Sequence, residues 1–403
     1  MLMKFDPQKK YEFYKKAFEE KSKPLAYLDQ EFFEENCRMI LQRSAGKKIR
    51  IASKSIRCKS VLHKIFDFST QFEGIMSYSA GEALFLLESG FDNILLGYPV
   101  VNKSEIEKFI PWLKKGKNVC FMADLNRHID ILESIGKKEN IVLKCCLDID
   151  MSYRLPFLNF GVWRSSITNL EMLEKRITFL TNKKNVKTVG IMGYEAQIAG
   201  LGDQLHGQFL KSKAINLLKK ISIKKLRAFR EDSIKLFESK GIRLEFVNGG
   251  GTGSLETTVT EKGVTEVTVG SGFYSPHLFD NYQSFKHLPA AAYMLEVVRK
   301  PKANIYTCMG GGYIASGESN NNKQPLPYLP PGFKTDPNEG NGEVQTPLHQ
   351  KGNYKLSIGD PVCFRHAKAG ELCEHFNILH FLKVNGDIEE MLTYRGEGKC
   401  FPA

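Results

Sequence analysis

Apolar residues in this chain fall into short, nearly unbroken runs. Between the runs lie longer stretches in which they recur every three or four positions. The runs KIRIAS (48–53), FEGIMS (72–77), NILLGY (93–98) and NVCFMA (118–123) read as buried strands. So do IVLKCCLDID (141–150), KTVGIMGY (187–194), RLEFVN (243–248) and VTEVTVGS (264–271). Stretches such as AGEALFLLESG (80–90) and KSEIEKFIPWLKKG (103–116) have the spacing of amphipathic helices. Strand followed by helix, repeated, predicts parallel βαβ units. Eight such strands between residues 48 and 271 predict an α/β chain with a (β/α)8, or TIM, barrel. An open doubly wound sheet is the alternative.

Beyond residue 275 the helical periodicity weakens. Glycine and proline become frequent over 309–350, LPAAAYMLEVVR predicts a helix over 288–299, and YKLSIGDPVCFRH and ILHFLKVNGDIEEMLTYRG predict strands. The expected organisation is an N-terminal segment over 1–25, the barrel over 26–275 and a β-rich C-terminal domain over 276–403.

Composition narrows the class. With 403 residues, 42% hydrophobic and 25% charged, the chain reads as a soluble globular protein. No apolar run is long enough to span a bilayer, and MLMKFDPQKKYEFYKKAFEEKSK has no signal-peptide core, so the expected location is cytoplasmic. The nine cysteines include no CxxC pair, which fits a reducing compartment without a disulfide framework. Net charge is +12, but the lysines are spread along the chain. The densest run, residues 211–243, reads as a solvated helix face rather than a nucleic-acid surface. A basic field also helps collect anionic small molecules.

In a (β/α)8 barrel the chemistry sits where strands end. The first strand ends at Lys54, the sixth at Tyr194, the seventh in NGGGTGS (248–254) and the eighth in GSGFY (270–274). Loops after the last two strands of such barrels often hold phosphate. Gly250, Gly251, Thr252 and Gly253, with Ser271, Gly272 and Tyr274, are the candidates for that cradle. A lysine facing a phosphate cradle fits pyridoxal 5'-phosphate bound across the barrel mouth. It fits equally a cofactor-free Schiff-base aldolase acting on a sugar phosphate.

At these positions the sequence resembles the fold-type III pyridoxal phosphate enzymes. It is most similar to the D-threonine aldolase, D-serine dehydratase and amino acid deaminase group, whose barrel is alanine racemase-like. RIASKSIR (50–57) is similar to the family's lysine motif, with Ser55 and Arg57 in place of its Thr and second Lys. KPLAYLDQEFFEENCRMI, GIMSYSAGEALFLLESGFDNILLGYPV, LDIDMSYR with FGVWRSSI, GYEAQ, and the two glycine loops also match. The resemblance implies Lys54 as the catalytic Schiff-base lysine, with burial and Arg50 or Arg57 nearby expected to depress its pKa. It implies cofactor or substrate contacts at Tyr194 and at Arg154 or Arg164. Asp148 and Asp150 alternate along a strand, so one of the two is expected at the barrel mouth. MGGGYIASG (309–317) and GEVQTPL (342–348) are similar to segments that complete a partner subunit's site, which implies a homodimer.

The family's C-terminal metal motif is altered here. FRHAKAGELCEHFN (364–377) offers His366, Glu371 and Cys373 for a divalent metal, zinc or manganese. A buried cysteine with two ordinary polar residues is the competing reading. The implied function is a pyridoxal phosphate enzyme acting on D-amino acids, through deamination, dehydration or retro-aldol cleavage of a D-β-hydroxy amino acid. Amino acid racemisation is the alternative. A branch of this class that binds the cofactor without turnover is typically a lone barrel, and the second domain points away from it.

Overall fold

The computed structural model describes residues 5–204, 209–317 and 321–402. Residues 1–4 of the expected N-terminal segment, 318–320 of the glycine- and proline-rich stretch, and 403 lie outside the described residues.

All eight expected barrel strands form. They are β1 (Lys48–Ala52), β2 (Phe72–Ser77), β3 (Ile94–Leu96) and β4 (Val119–Ala123), then β5 (Leu143–Asp148), β6 (Val186–Gly193), β7 (Phe246–Gly249) and β8 (Glu266–Val269). They close in order, all parallel, with β8 pairing back onto β1. Closure excludes the open-sheet alternative. Because side chains alternate across a strand, Cys146 points into the barrel with Leu95, Cys120, Met122, Val189 and Met192, while Cys145 packs outward in the main core. A buried ion pair joins the neighbouring strands β8 and β1 where the barrel closes: Arg50 reaches Glu266 with two bonds of 2.7 and 3.0 Å.

Two expectations give way to tertiary packing. Residues 288–299, read as a helix, form most of a twelve-residue strand, Ala291–Lys302. It pairs with Leu25–Asp29, Ile305–Met309 and Pro361–Arg365, so ladder partners outweigh the helix propensity of its alanines and leucines. The helix expected over 103–116 is two short ones, Lys103–Glu107 and Ile110–Lys114. Pro111 opens the second, because its ring cannot follow the preceding turn in one continuous helix.

The second domain is a nine-stranded sheet. Leu25–Asp29 belongs to it, between Ala291–Lys302 and Ile378–Leu382, so residues 26–29 sit here and not in the barrel. The helix Pro7–Ala17 packs on the same sheet: Tyr11 donates to the Pro361 carbonyl and Tyr14 to Asp29. The chain thus enters the β-domain, builds the barrel, and returns to the β-domain. This return brings the loop Ala369–Glu371 against the end of β1.

Candidate active site

A cleft of about 950 Å³ opens at the C-terminal ends of the barrel strands, under loops of the β-domain. Lys54 lines it from a single 3-10 turn, Ser53–Ser55, directly after β1. The strand runs straight into this turn, and two contacts hold it. Tyr274, fully buried, donates to the Ile56 carbonyl at 2.9 Å. Gly370 lies so close that a Cβ there would overlap the Lys54 carbonyl oxygen, so only glycine lets the β-domain loop seat. The lysine side chain was expected buried beside Arg50 or Arg57. It is exposed to the cleft instead, with Arg50 spent on Glu266 and Arg57 on Glu374. Lys54 makes no hydrogen bond or ion pair with the described residues.

The two glycine loops share the cleft lining through Gly250, Gly251, Thr252, Gly270 and Ser271. Gly250 has φ +77°, which a side chain would resist, and this turns the chain after β7. Its amide donates to Glu195 at 3.1 Å. Glu195 also accepts from Thr258 and pairs with the fully buried Arg230, which bonds the Gly193 carbonyl at 2.9 Å. One buried ion pair therefore fastens the end of β6 to the first glycine loop. The loops are joined to each other where the Gly272 amide donates to Thr252 Oγ1 at 3.0 Å, and to β1 where Ser55 meets Ser271 at 3.2 Å. Gly253, Gly272 and Tyr274, expected to touch a cofactor, do not line the cleft and act from behind it. The amides of Thr252 and Ser271 donate to no described residue. A cradle of spare amides and hydroxyls with little Cβ bulk fits a phosphate group.

Tyr194 lines the cleft as expected, and burial pushes its phenol up to about 12. Arg154 does not. It sits on a two-stranded hairpin, Tyr153–Leu155 with Leu158–Phe160, which carries it away from the barrel mouth to pair with Asp150 at 2.9 Å. Arg164, where the chain returns, takes the place in the cleft. It holds Asp148 at 2.7 Å and the Gly97 carbonyl at 2.6 Å. Burial pushes Asp148 up to about 7 while Arg164 pulls it back. Sequence reasoning missed Tyr98, at the end of the run NILLGY. Arg164 lies 4.8 Å from its ring. Burial alone would raise the Tyr98 phenol, but the Lys54 and Arg164 cations outweigh it and hold the phenol below its ordinary value. The GY pair closing β3 was the available signal.

The three side chains suggested for a metal do not come together. Glu371 accepts from Ser316 and faces Lys368. Cys373 is enclosed, and burial pushes its thiol up. His366 is buried with both ring nitrogens unpartnered, and burial, with His277 and Arg365 adding to it, pushes the imidazole down to about 3. Among the described residues no group of three or more His, Cys, Asp or Glu could hold a metal ion. These residues therefore do not fit the metal that the resemblance implies.

His366 gives a test of its own. An imidazole neutral in the fold but titrating near 6.5 when unfolded contributes fully above that pH, and the contribution is lost as pH falls toward 3. His366→Leu is expected to gain about 2 kcal/mol relative to the wild type when denaturant unfolding is moved from pH 8 to pH 5. No relative gain would mean that the imidazole is charged in the fold.

No family model matches the chain and no curated protein matches its sequence. Solved structures do match. The D-threonine aldolase from Filomicrobium marinum superposes with a TM-score of 0.78 at 16% identity, over 94% of this chain and 96% of that one. The D-threo-3-hydroxyaspartate dehydratase from Delftia sp. HT23 gives 0.73 at 14%, over 92% and 97%. The fold is that of the fold-type III pyridoxal phosphate enzymes. Alanine racemase from Clostridium difficile 630 has it too, at 0.63 and 14%, over 93% and 99%. Barrel and β-domain both fall within these matches, so the resemblance seen in the lysine motif and glycine loops extends to the whole fold-type III architecture. No helix among the described residues is long and apolar enough to cross a membrane.

Proposed function

We propose that the protein is a pyridoxal phosphate enzyme acting on D-amino acids, with Lys54 as the amine that carries the cofactor. The observation that supports this best is a primary amine with no partner among the described residues, in a large cleft that it shares with a cradle of spare amides. Pyridoxal phosphate, when bound, supplies an electron sink for negative charge at a substrate Cα. Thr252 and Ser271 hold the phosphate. Lys54 is the nucleophile, and once released it takes or returns a proton at Cα. Arg164 meets a carboxylate or ring oxygen, and Tyr98, acidified by its two cations, holds or gives a proton beside Lys54.

The structures that share the fold are named for retro-aldol cleavage, dehydration and racemisation. For this chain the proposed branch is a lyase acting on a D-β-hydroxy amino acid, by dehydration with deamination or by retro-aldol cleavage. Racemisation is the alternative.

The test is an absorbance spectrum with and without added pyridoxal phosphate, then borohydride reduction and peptide mapping. A visible band that bleaches on reduction, with the label on Lys54, is the expected result. D-Serine, D-threonine and D-alanine then separate the branches as keto acid, glycine with aldehyde, or L-enantiomer. No band, even with added cofactor, would overturn the proposal and favour a cofactor-free sugar-phosphate aldolase.

A further inference from the structure

Residues 209–230 carry eight lysines and arginines and no aspartate or glutamate. They form the first part of one long helix, Phe209–Ser239. Two of the eight are spent locally, Lys219 on Asp203 at 3.1 Å and Arg230 on Glu195 and Glu261. Lys220, Lys224 and Lys225 are exposed, and the next acids along the helix, Glu231 and Asp232, face Lys235. Apolar side chains share this exposed face. Leu217 (60% exposed), Ile221 and Lys225 follow at four-residue intervals and so form one row, with Lys220 and Lys224 beside it. The helix buries a separate apolar set, Ile215, Leu226 and Phe237, so Leu217 and Ile221 are surplus to the core.

At Lys225 the row meets the hairpin that leads to Arg164. The ammonium lies 4.7 Å over the Tyr153 ring, and Gln197 joins the Met151 carbonyl at 2.6 Å to the Ser222 hydroxyl at 3.0 Å. Phe157, in the turn of the hairpin, is as exposed as in an open chain, at 102%. Leu158 beside it is exposed, and Trp163 is 80% exposed with the Arg154 guanidinium 5.1 Å from its ring. A phenylalanine and a tryptophan together offer about 300 Å² or more of apolar surface, the scale that marks an interaction site. Charge complementarity decides what covers it. A second copy docking through the same surface would bring two acid-free basic helices together, and like charges repel. A soluble polyanion would answer the lysines but leave Phe157, Leu158, Leu217 and Ile221 in water. A bilayer with anionic lipids answers both, with phosphates for the lysines and the acyl boundary for the apolar side chains, where tryptophan is at home.

We propose that the hairpin and this basic helix face form a docking surface for an anionic lipid membrane, on which the protein lies peripherally with Phe157 and Trp163 dipping into the interface. The inference goes beyond the proposed chemistry and stands or falls without it. The test is co-sedimentation of the whole protein with vesicles of phosphatidylcholine alone and of phosphatidylcholine mixed with phosphatidylglycerol, at physiological ionic strength. The wild type is expected to bind the mixed vesicles and not the neutral ones, and to release them as salt rises. Phe157→Ser with Trp163→Ser is expected to weaken binding on the order of tenfold or more. Lys220→Gln, Lys224→Gln and Lys225→Gln together are expected to do the same. All five side chains are exposed, so denaturant midpoints should stay near the wild type. In a Trp112→Phe protein, Trp163 emission is expected to move to shorter wavelength on the mixed vesicles. A wild type that ignores the mixed vesicles, or binds the neutral ones equally, overturns the inference, as does binding with no emission shift. So does an aromatic variant that turns a dimer into a monomer in sedimentation, which would assign the hairpin to a second copy. Equal loss of heparin binding in both variants would assign the surface to a soluble polyanion and overturn it too.

Discussion

Lys54→Ala is expected to remove the borohydride-sensitive absorbance and to lower turnover on the order of 10⁴-fold or more, while leaving the protein as stable as the wild type. The loss is large because nucleophile and proton carrier are the same nitrogen, so one substitution removes both functions. Stability is spared because the side chain is exposed to the cleft and bonds to no described residue. Surface changes of this kind usually stay within about 0.5 kcal/mol. The turn that presents Lys54 is held through the Ile56 carbonyl and the Gly370 contact, which the substitution leaves alone. Steady-state rates with denaturant unfolding on the same preparation check both halves. A variant that retains the band would move the Schiff base to another lysine, with Lys368 the first to examine.

Arg230→Met is expected to cost about 3–5 kcal/mol of stability, the scale for breaking a buried ion pair from one side. Arg230 is 1% exposed and serves Glu195, Glu261 and the Gly193 carbonyl together. Without it, two carboxylates are left with burial opposing their charge, and the β6 end loses a donor. The damage should also reach the cofactor, because Glu195 is the acceptor for the Gly250 amide and for Thr258. A weaker apparent affinity for pyridoxal phosphate is therefore expected under conditions where the variant remains folded. Denaturant midpoints and a spectral titration with the cofactor check this. A cost below about 1 kcal/mol would show that the carboxylates are protonated in the fold, since only a charged partner makes the loss large.

The eight barrel strands were legible because a strand buried on both faces reads as a short unbroken apolar run, and all eight runs in this chain became barrel strands. The positions of Lys54, Tyr194 and the two glycine loops followed, since each ends such a run. Residues 288–299 were misread because their alanines and leucines suit a helix, and only partners on both sides make them a strand. Arg154 and Arg164 could not be told apart because spacing along a chain cannot show that a hairpin intervenes and turns one arginine outward. Tyr98 was passed over because its phenol matters only once Lys54 and Arg164, far away in sequence, stand beside it. His366, Glu371 and Cys373 are adjacent enough to suggest ligands, yet they diverge in space.

Local pattern, then, determined the alternation of strand and helix, the barrel and the lysine at its rim, because those depend on neighbours a few residues away. Tertiary structure alone decided that Leu25–Asp29 joins the β-domain, that Arg230 locks Glu195 beneath the glycine loop, and that Gly370 presses on Lys54. Each of these joins residues far apart in the chain. Such contacts depend on how completed elements pack, and burial decides which charges must be paired.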